Sequence, residues 1–181
     1  MFKKIIFWIK SDRIGPDMPL THFLLHFRSL SLRLCKKKFK TFGEGSEFRP
    51  GAYAICTKNI RIGNRVTIRP MSMLFGSPDT SVHNEHIVIQ DDVLIGSGVH
   101  VYTANHRYNS KDVAISAQGH SDVKPVILER GCWIGANVTI LAGVTVGENS
   151  VIGAGSVLTK SVPPFTVFAG NPAKYIKKVD E

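Results

Sequence analysis

The sequence has few cysteines and no long hydrophobic run, and each shortage excludes a class of protein. Its three cysteines, Cys35, Cys56 and Cys132, form no CxxC pair and no zinc-type Cys/His spacing. A small and odd number of cysteines argues against a disulfide framework and predicts free thiols in a reducing compartment. The apolar run at residues 5–9 is too short for a signal peptide, and Lys10 ends it. No stretch has the length of a transmembrane span, so we expect a cytoplasmic protein.

Acidic residues are scarce relative to basic ones. The 181 residues include 23 lysines and arginines against 14 aspartates and glutamates, a formal net charge of +9. Such a surface suits nucleic acid, anionic lipid, or a phosphate-bearing cofactor or sugar nucleotide. The basic residues cluster at the two ends of the chain and do not interleave with aromatics along a groove, which argues against nucleic acid. The length suffices for one globular domain with an appendage.

The composition changes near residue 42. We therefore divide the chain into an N-terminal basic amphipathic helical segment, residues 1–42, and a second domain, residues 43–181. In the first segment, apolar residues recur three or four apart, as on one face of a helix: Phe23, Leu24, Phe27, Leu30 and Leu34. The interpretation we favour packs that face against the second domain. In the alternative, the cationic residues hold the segment in peripheral contact with an anionic membrane surface.

The second domain repeats every six residues. From Leu128 the sequence divides into LERGCW, IGANVT, ILAGVT, VGENSV, IGAGSV and LTKSVP, and each unit begins with Leu, Ile or Val. Six residues are too few for a helical hairpin but suffice for one short strand and one tight corner. Three units then form a triangular coil, and coils stacked by parallel pairing form a solenoid with the first residue of each unit inside. The repeat thus predicts an all-β solenoid.

Two insertions interrupt this repeat, and each follows the third unit of a coil. They span residues 80–88 and 107–127, so both should leave the solenoid at one corner, one coil apart. Loops on a rigid scaffold often carry function. His106, which ends VYTANH before the longer loop, is a candidate general base because imidazole can accept a hydroxyl proton near neutral pH. In the shorter loop, Asn84 and Glu85 are candidates to contact an acceptor or orient the imidazole.

The segment IGANVTILAGVTVGENSVIGAGSVLTKSVP, followed by AGNPAKYIKK, resembles the hexapeptide-repeat acyltransferases, whose fold is a left-handed parallel β-helix. With YTANH and CWIG, the resemblance covers about residues 50–178 and is greatest to the galactoside, maltose and polysaccharide sugar O-acetyltransferases. It implies a homotrimer, acetyl-CoA as the acyl donor, and His106 as the base that deprotonates the acceptor hydroxyl. The implied acceptor is a small-molecule or lipid-linked sugar, such as an envelope polysaccharide precursor.

The resemblance also implies which residues contact coenzyme A. It assigns the pantetheine arm to the wall of the solenoid and the phosphates to cations of the C-terminal tail, with these residues in order along the chain: Ala136, Ala154, Thr159, Lys160, Lys174 and Lys177. Lysine supplies the charge for a phosphate but lacks the bidentate geometry of arginine. Trp133, in the WIG triplet, is expected to flank the substrate cleft.

Two other classes of protein stay open as alternatives. Some left-handed β-helix proteins are zinc-dependent carbonic anhydrases, and such a site needs three histidine ligands. The chain offers His83, His86, His100 and His106. We expect no metal, because the spacing does not match that family and His83 and His86 are predicted to be solvated loop residues. A non-catalytic scaffold would have little need for the TK and GNPAK motifs. We therefore expect an acetyltransferase in the cytoplasm, with the inner face of the membrane as one site of action.

Overall fold

The computed structural model of the chain describes residues 2–180, with three helices near its start and a long series of short strands after them. The helices are α1 (Phe2–Lys10), α2 (Pro19–Leu24) and α3 (Arg28–Lys38), and two single-turn 3-10 helices lie at Thr57–Asn59 and Ile115–Ala117. The strands are β1 (Arg13–Ile14), β2 (Thr41–Phe42), β3 (Glu47–Phe48), β4 (Tyr53–Ile55), β5 (Ile60–Ile62), β6 (Thr67–Ile68), β7 (Met73–Phe75), β8 (Ile87–Ile89), β9 (Leu94–Ile95), β10 (His100–Tyr102), β11 (Val126–Leu128), β12 (Trp133–Ile134), β13 (Thr139–Ile140), β14 (Thr145–Val146), β15 (Val151–Ile152), β16 (Val157–Leu158), β17 (Thr166–Gly170) and β18 (Ala173–Lys178).

The strands form three sheets, and the chain visits the three in turn. Side A has the strand order β1-β4-β7-β10-β13-β16, side B has β14-β11-β8-β5-β2, and side C has β18-β17-β15-β12-β9-β6-β3. Neighbouring strands pair in parallel, apart from the antiparallel pairs β1 with β4 and β17 with β18. Each passage through sides A, B and C makes one coil. The result is the stack of three-sided coils that the six-residue repeat predicts.

The first residue of each six-residue unit points into the coil and forms the core. These side chains are at most 1% exposed: Ile62, Ile68, Leu74, Ile89, Ile95, Val101, Leu128, Ile134, Ile140, Val146, Ile152 and Leu158. The strand registers place equivalent residues of successive coils beside one another, as for Val101 with Ile140 and Ile140 with Leu158. Burial of each aliphatic side chain stabilises the fold by about 1.5–3 kcal/mol. The aliphatic stack therefore holds successive coils in register.

The corners between sides need small residues, because successive coils are only about 4.8 Å apart. A Cβ atom on Gly135 would lie 2.6 Å from the backbone nitrogen of Ala154 in the next coil, so only glycine fits there. The same corner is tied by a hydrogen bond from the Gly155 N–H to the Ala136 carbonyl oxygen, at 2.8 Å. Ala136 and Ala154 thus occupy equivalent places in successive coils.

Helices α1 to α3 and strand β1 cover the first coil. Strand β1 pairs with β4 on side A, and α3 packs over the first strands of sides B and C. Three phenylalanines fill the space below α3, with ring centroids 5.7 Å apart for Phe39 and Phe42 and 5.3 Å for Phe39 and Phe48. The N-terminal segment therefore closes the end of the hydrophobic core that the open coil would expose to water.

The three cysteines are free thiols, as predicted. Cys35 is buried on α3, and Cys132 is buried inside the coil. Burial disfavours the thiolate and raises the pKa of both to about 12. These two cysteines therefore act as small apolar residues of the core.

A buried histidine anchors the shorter insertion, which joins β7 to β8 over residues 76–86. The Nδ1 atom of His86 accepts a hydrogen bond from the Ser77 N–H at 3.1 Å, and its Nε2 atom lies 3.0 Å from the carbonyl oxygen of His83. A carbonyl only accepts, so Nε2 carries the proton and the ring is the neutral tautomer. The prediction that His86 is a solvated loop residue is therefore wrong. Its ring satisfies backbone groups that no strand partner reaches.

We expect Ile95→Ala to destabilise the protein by about 2–5 kcal/mol, because it removes a buried side chain and leaves a cavity in the aliphatic stack. The adjacent Leu94 is 51% exposed on the same strand, so Leu94→Ala is the matched control. We expect the control to cost under about 1 kcal/mol. Urea unfolding of both variants measures the difference. Equal losses of unfolding free energy would contradict the inward position of Ile95.

We expect His86→Ala to cost about 1–3 kcal/mol of unfolding free energy, because it leaves the Ser77 N–H and the His83 carbonyl without partners. His83→Ala is the control, since His83 contributes its backbone carbonyl to the contact and keeps it after substitution. Chemical unfolding measures both variants. A His83→Ala variant as unstable as His86→Ala would show that the imidazole of His86 does not anchor the loop.

Candidate active site

Both insertions leave the β-helix at the corner between sides A and B. The shorter joins β7 to β8, and the longer, residues 103–125, joins β10 to β11. Strands β7 and β10 pair directly, as do β8 and β11, so the two loops lie in successive coils. This confirms the prediction of one shared corner. The two loops therefore project from adjacent positions on a rigid support.

Backbone pairing closes the base of the longer loop. The Arg107 N–H donates to the Gly119 carbonyl oxygen at 2.9 Å, and His106 and His120 form an isolated antiparallel bridge. Their imidazole rings face each other, with centroids 4.4 Å apart and planes inclined by 36°. Two exposed histidines thus stand side by side where the loop leaves the β-helix. The loop holds His106 through its own backbone as well as through β10.

His106 lines a cleft of about 650 Å³ between the two loops and side A. One wall is aromatic: the Phe75 and Tyr102 rings stack with centroids 4.9 Å apart and planes only 4° from parallel. The polar lining comes from both loops and includes Ser77, Asp79, Arg107, His120, Ser121 and Asp122. A flat apolar wall with polar groups around it is the usual composition of a small-molecule site. The cleft can therefore hold an amphipathic molecule against His106.

Carboxylates supply part of the polar lining. Asp79 accepts a hydrogen bond from the Ser81 N–H at 2.9 Å, and hydrogen bonds from Ser81 hold the pKa of Asp79 below its ordinary value. Asp79 is therefore ionised at neutral pH. Asp122 lies 3.4 Å from the guanidinium of Arg107 in an exposed ion pair. Carboxylate oxygens accept hydrogen bonds from hydroxyl groups, so the cleft offers acceptors to a polyhydroxylated ligand.

Asn84 and Glu85 are not among the residues that line the cleft with His106. Glu85 instead pairs with the Arg61 guanidinium at 2.7 Å and with the Lys40 ammonium at 3.2 Å. The hydrogen bond from Arg61 is the main cause that lowers the pKa of Glu85. The Asn84 carbonyl accepts from the same lysine at 3.1 Å. Both residues are thus committed to side B, where their loop returns to β8.

Trp133 and Ala136 share a second groove, of about 370 Å³, that does not include His106. The indole of Trp133 is 54% exposed on β12, and Leu94 and Arg69 also line this groove. The groove follows side C and ends at the corner that carries Ala136. Within one chain, the predicted wall for pantetheine and the predicted base therefore line different cavities.

The remaining predicted cofactor residues lie beyond this groove, toward the C-terminal end of the β-helix. Thr159 and Lys160 follow β16 and are exposed. Lys174 and Lys177 lie on β18, which folds back along β17 with Lys174 opposite Ala169. Strand β18 is the outer strand of side C, the same side as Trp133. Both lysine side chains are exposed, so an anion in solution can reach them.

Sequence reasoning missed the aromatic wall and His120. The signal for the wall was present, because Phe75 and Tyr102 each follow the first residue of a six-residue unit in successive coils. Equivalent positions in successive coils are neighbours on the outer surface. No comparable signal marked His120, because the loop that carries it lies outside the repeat. Its place beside His106 depends on backbone pairing within that loop.

Two structural features bear on the alternatives. Among residues 2–180, no three His, Cys, Asp or Glu side chains are grouped so that they could bind a metal ion. The imidazole of His86, one of the histidines considered as a ligand, contacts backbone groups through both nitrogens. Over the same described residues, no helix combines the length and the hydrophobicity needed to cross a membrane.

Comparisons with known proteins agree with the coiled fold described above. Residues 125–160 match the family of bacterial transferase hexapeptides, described as six repeats. The galactoside O-acetyltransferase of Escherichia coli is 32% identical over 149 residues, which cover 82% of this chain and 68% of that protein.

Two solved structures resemble nearly the whole chain. A hexapeptide-repeat-containing acetyltransferase from Vibrio cholerae, complexed with acetyl coenzyme A, has a TM-score of 0.76 at 27% identity and covers 99% of this chain and 85% of its own. A galactoside acetyltransferase in complex with coenzyme A has a TM-score of 0.74 at 29% identity and covers 98% and 78%. This chain belongs to the hexapeptide-repeat acetyltransferases.

Proposed function

We propose that this protein is an acetyl-CoA-dependent O-acetyltransferase that acetylates a hydroxyl group of a sugar, with His106 as the general base. The observation that carries the proposal is the place of His106, at the two-loop corner and against an aromatic-walled cleft. The similarity to acetyltransferases solved with acetyl coenzyme A or coenzyme A supports the choice of donor. The coils are proposed to be left-handed, and residues 43–181 to form the catalytic domain.

The proposed reaction needs one proton carrier. An imidazole nitrogen of His106 takes the proton of the acceptor hydroxyl as its oxygen attacks the thioester carbonyl carbon. A new C–O bond forms, the C–S bond breaks, and the electron pair leaves with sulfur. The imidazolium then returns its proton to the thiolate, which gives free coenzyme A and the acetyl ester. Imidazole suits this cycle because it can both accept and donate a proton near neutral pH.

The cleft supports a sugar as acceptor. The stacked rings of Phe75 and Tyr102 offer a flat surface for the apolar face of a pyranose, and Asp79 and Asp122 accept hydrogen bonds from its hydroxyls. The E. coli relative is named for a galactoside, which points in the same direction. A free and a lipid-linked sugar would fit the same surface. Asn84 and Glu85 form no part of this proposed acceptor site.

The donor is proposed to lie along side C and its following corner. Ala136 and Ala154 form a smooth wall for pantetheine, and Thr159 and Lys160 continue beyond it. Lys174 and Lys177 supply the positive charge for the phosphates of coenzyme A. Trp133 is proposed to flank the donor groove, because it lies beside Ala136 and away from His106.

A trimer would unite the two halves of the site. One chain presents the His106 cleft and the Trp133 groove as separate cavities. We propose that three β-helices associate side by side, so that the cleft of one subunit faces the donor groove of its neighbour. This arrangement agrees with the resemblance to sugar O-acetyltransferases and explains why a solvent-exposed His106 can act in an enclosed site.

We expect His106→Ala to lower the rate of acetyl transfer by about 10²–10⁴-fold, because a general base contributes that much. The measurement is release of coenzyme A thiol from acetyl-CoA with a panel of galactosides and other sugars as acceptors. His120→Ala is the matched comparison, because it removes the neighbouring imidazole of the same cleft. A normal rate for His106→Ala, with the loss in His120→Ala, would assign the base to His120.

We expect acetyl-CoA to bind the purified protein. The double variant Lys174→Ala/Lys177→Ala should bind it about tenfold or more weakly, because two positive charges proposed to contact the phosphates are lost. Isothermal titration calorimetry measures the affinity without any choice of acceptor. Lys111→Ala with Lys124→Ala removes two charges from the long loop and serves as the control. Absence of acetyl-CoA binding by folded protein would overturn the proposed donor.

A further inference from the structure

The positive charge of the chain is concentrated in its first 40 residues. This segment holds ten lysines and arginines and two aspartates. The other 141 residues hold thirteen basic and twelve acidic residues, so the β-helix and tail are close to neutral. We call residues 2–40 the basic cap. Its charge is not needed to balance the rest of the molecule, so it is available to an external anionic partner.

Helix α1 presents cationic and apolar side chains together on its outer face. That face has the helical spacing i, i+3, i+4, i+7 and consists of Lys3, Ile6, Phe7 and Lys10. All four are exposed, with exposed fractions of 43% for Ile6 and 55% for Phe7. The opposite face, with Ile5 and Trp8, is half-buried. The helix therefore buries one apolar face in the protein and exposes a second.

A buried lysine fixes α1 in this orientation. The ammonium group of Lys38, on α3, donates to the carbonyl oxygens of Trp8 at 3.3 Å and Ile9 at 2.9 Å, and also to that of Ser11. These carbonyls lie at the C-terminal end of α1, where helix geometry leaves them without backbone partners. Lys38 thus ties α1 to α3, and the outer face of α1 is a preformed surface.

The apolar surface continues over the other two helices. Phe23 and Phe27 are 58% and 46% exposed, and their rings meet edge to face at 5.2 Å. A groove of about 310 Å³ links all three helices and is lined by Ile9, Leu20, Leu24, Leu30, Leu34 and Arg33. Exposed phenylalanines beside an open apolar groove are unusual on a surface that faces only water.

Most cations of the cap are not engaged with acidic groups of the protein; within the described part of the chain, Arg13, Lys36 and Lys40 are the three in ion pairs. Among residues 2–180, the described ion pairs leave out the buried Lys38 and six exposed cations of the cap: Lys3, Lys4, Lys10, Arg28, Arg33 and Lys37. By contrast, Arg61, Arg65 and Arg130 on the β-helix each lie against a carboxylate. The cap therefore combines exposed aromatic side chains with unneutralised charge.

We infer that the basic cap binds the surface of an anionic phospholipid bilayer. Phe7, Phe23 and Phe27 enter the interfacial layer, and the surrounding lysines and arginines contact headgroup phosphates. Charge complementarity favours this occupant over a second copy of the cap, because two such positive surfaces would repel each other. The inference is independent of the proposed acetyl transfer, although a cap on a membrane would bring the cleft to lipid-linked sugars.

Vesicle sedimentation tests the inference with the full chain. We expect the protein to sediment with vesicles of phosphatidylglycerol and phosphatidylcholine, to stay in solution with phosphatidylcholine alone, and to be released by high salt. Lys3→Gln with Lys10→Gln should weaken partitioning about 25-fold, at about fivefold for each charge removed. Phe7→Ser with Phe23→Ser should weaken it at least about tenfold. Acetyl-CoA affinity, measured on each variant, serves as the folding check.

Matched variants separate the cap from the rest of the surface. Lys111→Gln with Lys124→Gln removes the same charge, and Tyr108→Ser with Ile115→Ser removes exposed apolar side chains of the long loop. Both should leave sedimentation unchanged. Equal sedimentation with neutral vesicles, or equal loss in the control variants, would overturn the inference. So would a change of oligomeric state in the cap variants with unaltered vesicle binding, which would show that a second chain covers the cap.

Discussion

Stacking of aliphatic side chains from one coil onto the next is the interaction on which the rest of the structure depends. Most strands have only two or three residues, so few hydrogen bonds hold any one of them. The register instead follows from the inward residues, as where Val101 lies between Leu74 and Ile140. A shift of one residue would turn that column outward. The aromatic wall depends on the same register. The rings of Phe75 and Tyr102 can stack only while the preceding residues, Leu74 and Val101, are aligned inside the coil.

The same dependence explains how far the sequence could be interpreted. The six-residue repeat indicates the position of each residue on the coil. The inward residues, the shared corner of the two loops and the position of His106 could therefore be predicted from the sequence. The period says nothing about a loop outside it. Glu85 was expected near His106 because its loop leaves the same corner, whereas in the structure its carboxylate pairs with Arg61, 24 residues earlier, on side B. The burial of His86 was not predicted for a similar reason, because its imidazole is held by two backbone groups of its own loop, which lies outside the repeat.

The proposed division of the site between subunits also follows from the rigid coil. Side A carries the cleft with His106 and side C carries the groove with Trp133, and a rigid three-sided coil does not turn these faces toward each other. A flexible enzyme could close one half onto the other. A β-helix can unite them only by placing a second copy alongside. Sequence periodicity carries no information about this proposed assembly, because it describes a single chain.

The distribution of charge adds a reason for the orientation of the donor. Coenzyme A carries its negative charges at the nucleotide end and its reactive thioester at the other. Asp79 is ionised and lines the cleft, whereas Asp122 is paired with Arg107, so under the proposed function Asp79 would repel the phosphates from the neighbourhood of His106. Lys174 and Lys177 are exposed on the outer strand of side C, where they are proposed to attract the phosphates. Under the proposed function, opposite charges at the two ends of the path would direct the thioester toward His106, and a neutral sugar would enter the acidic cleft without penalty.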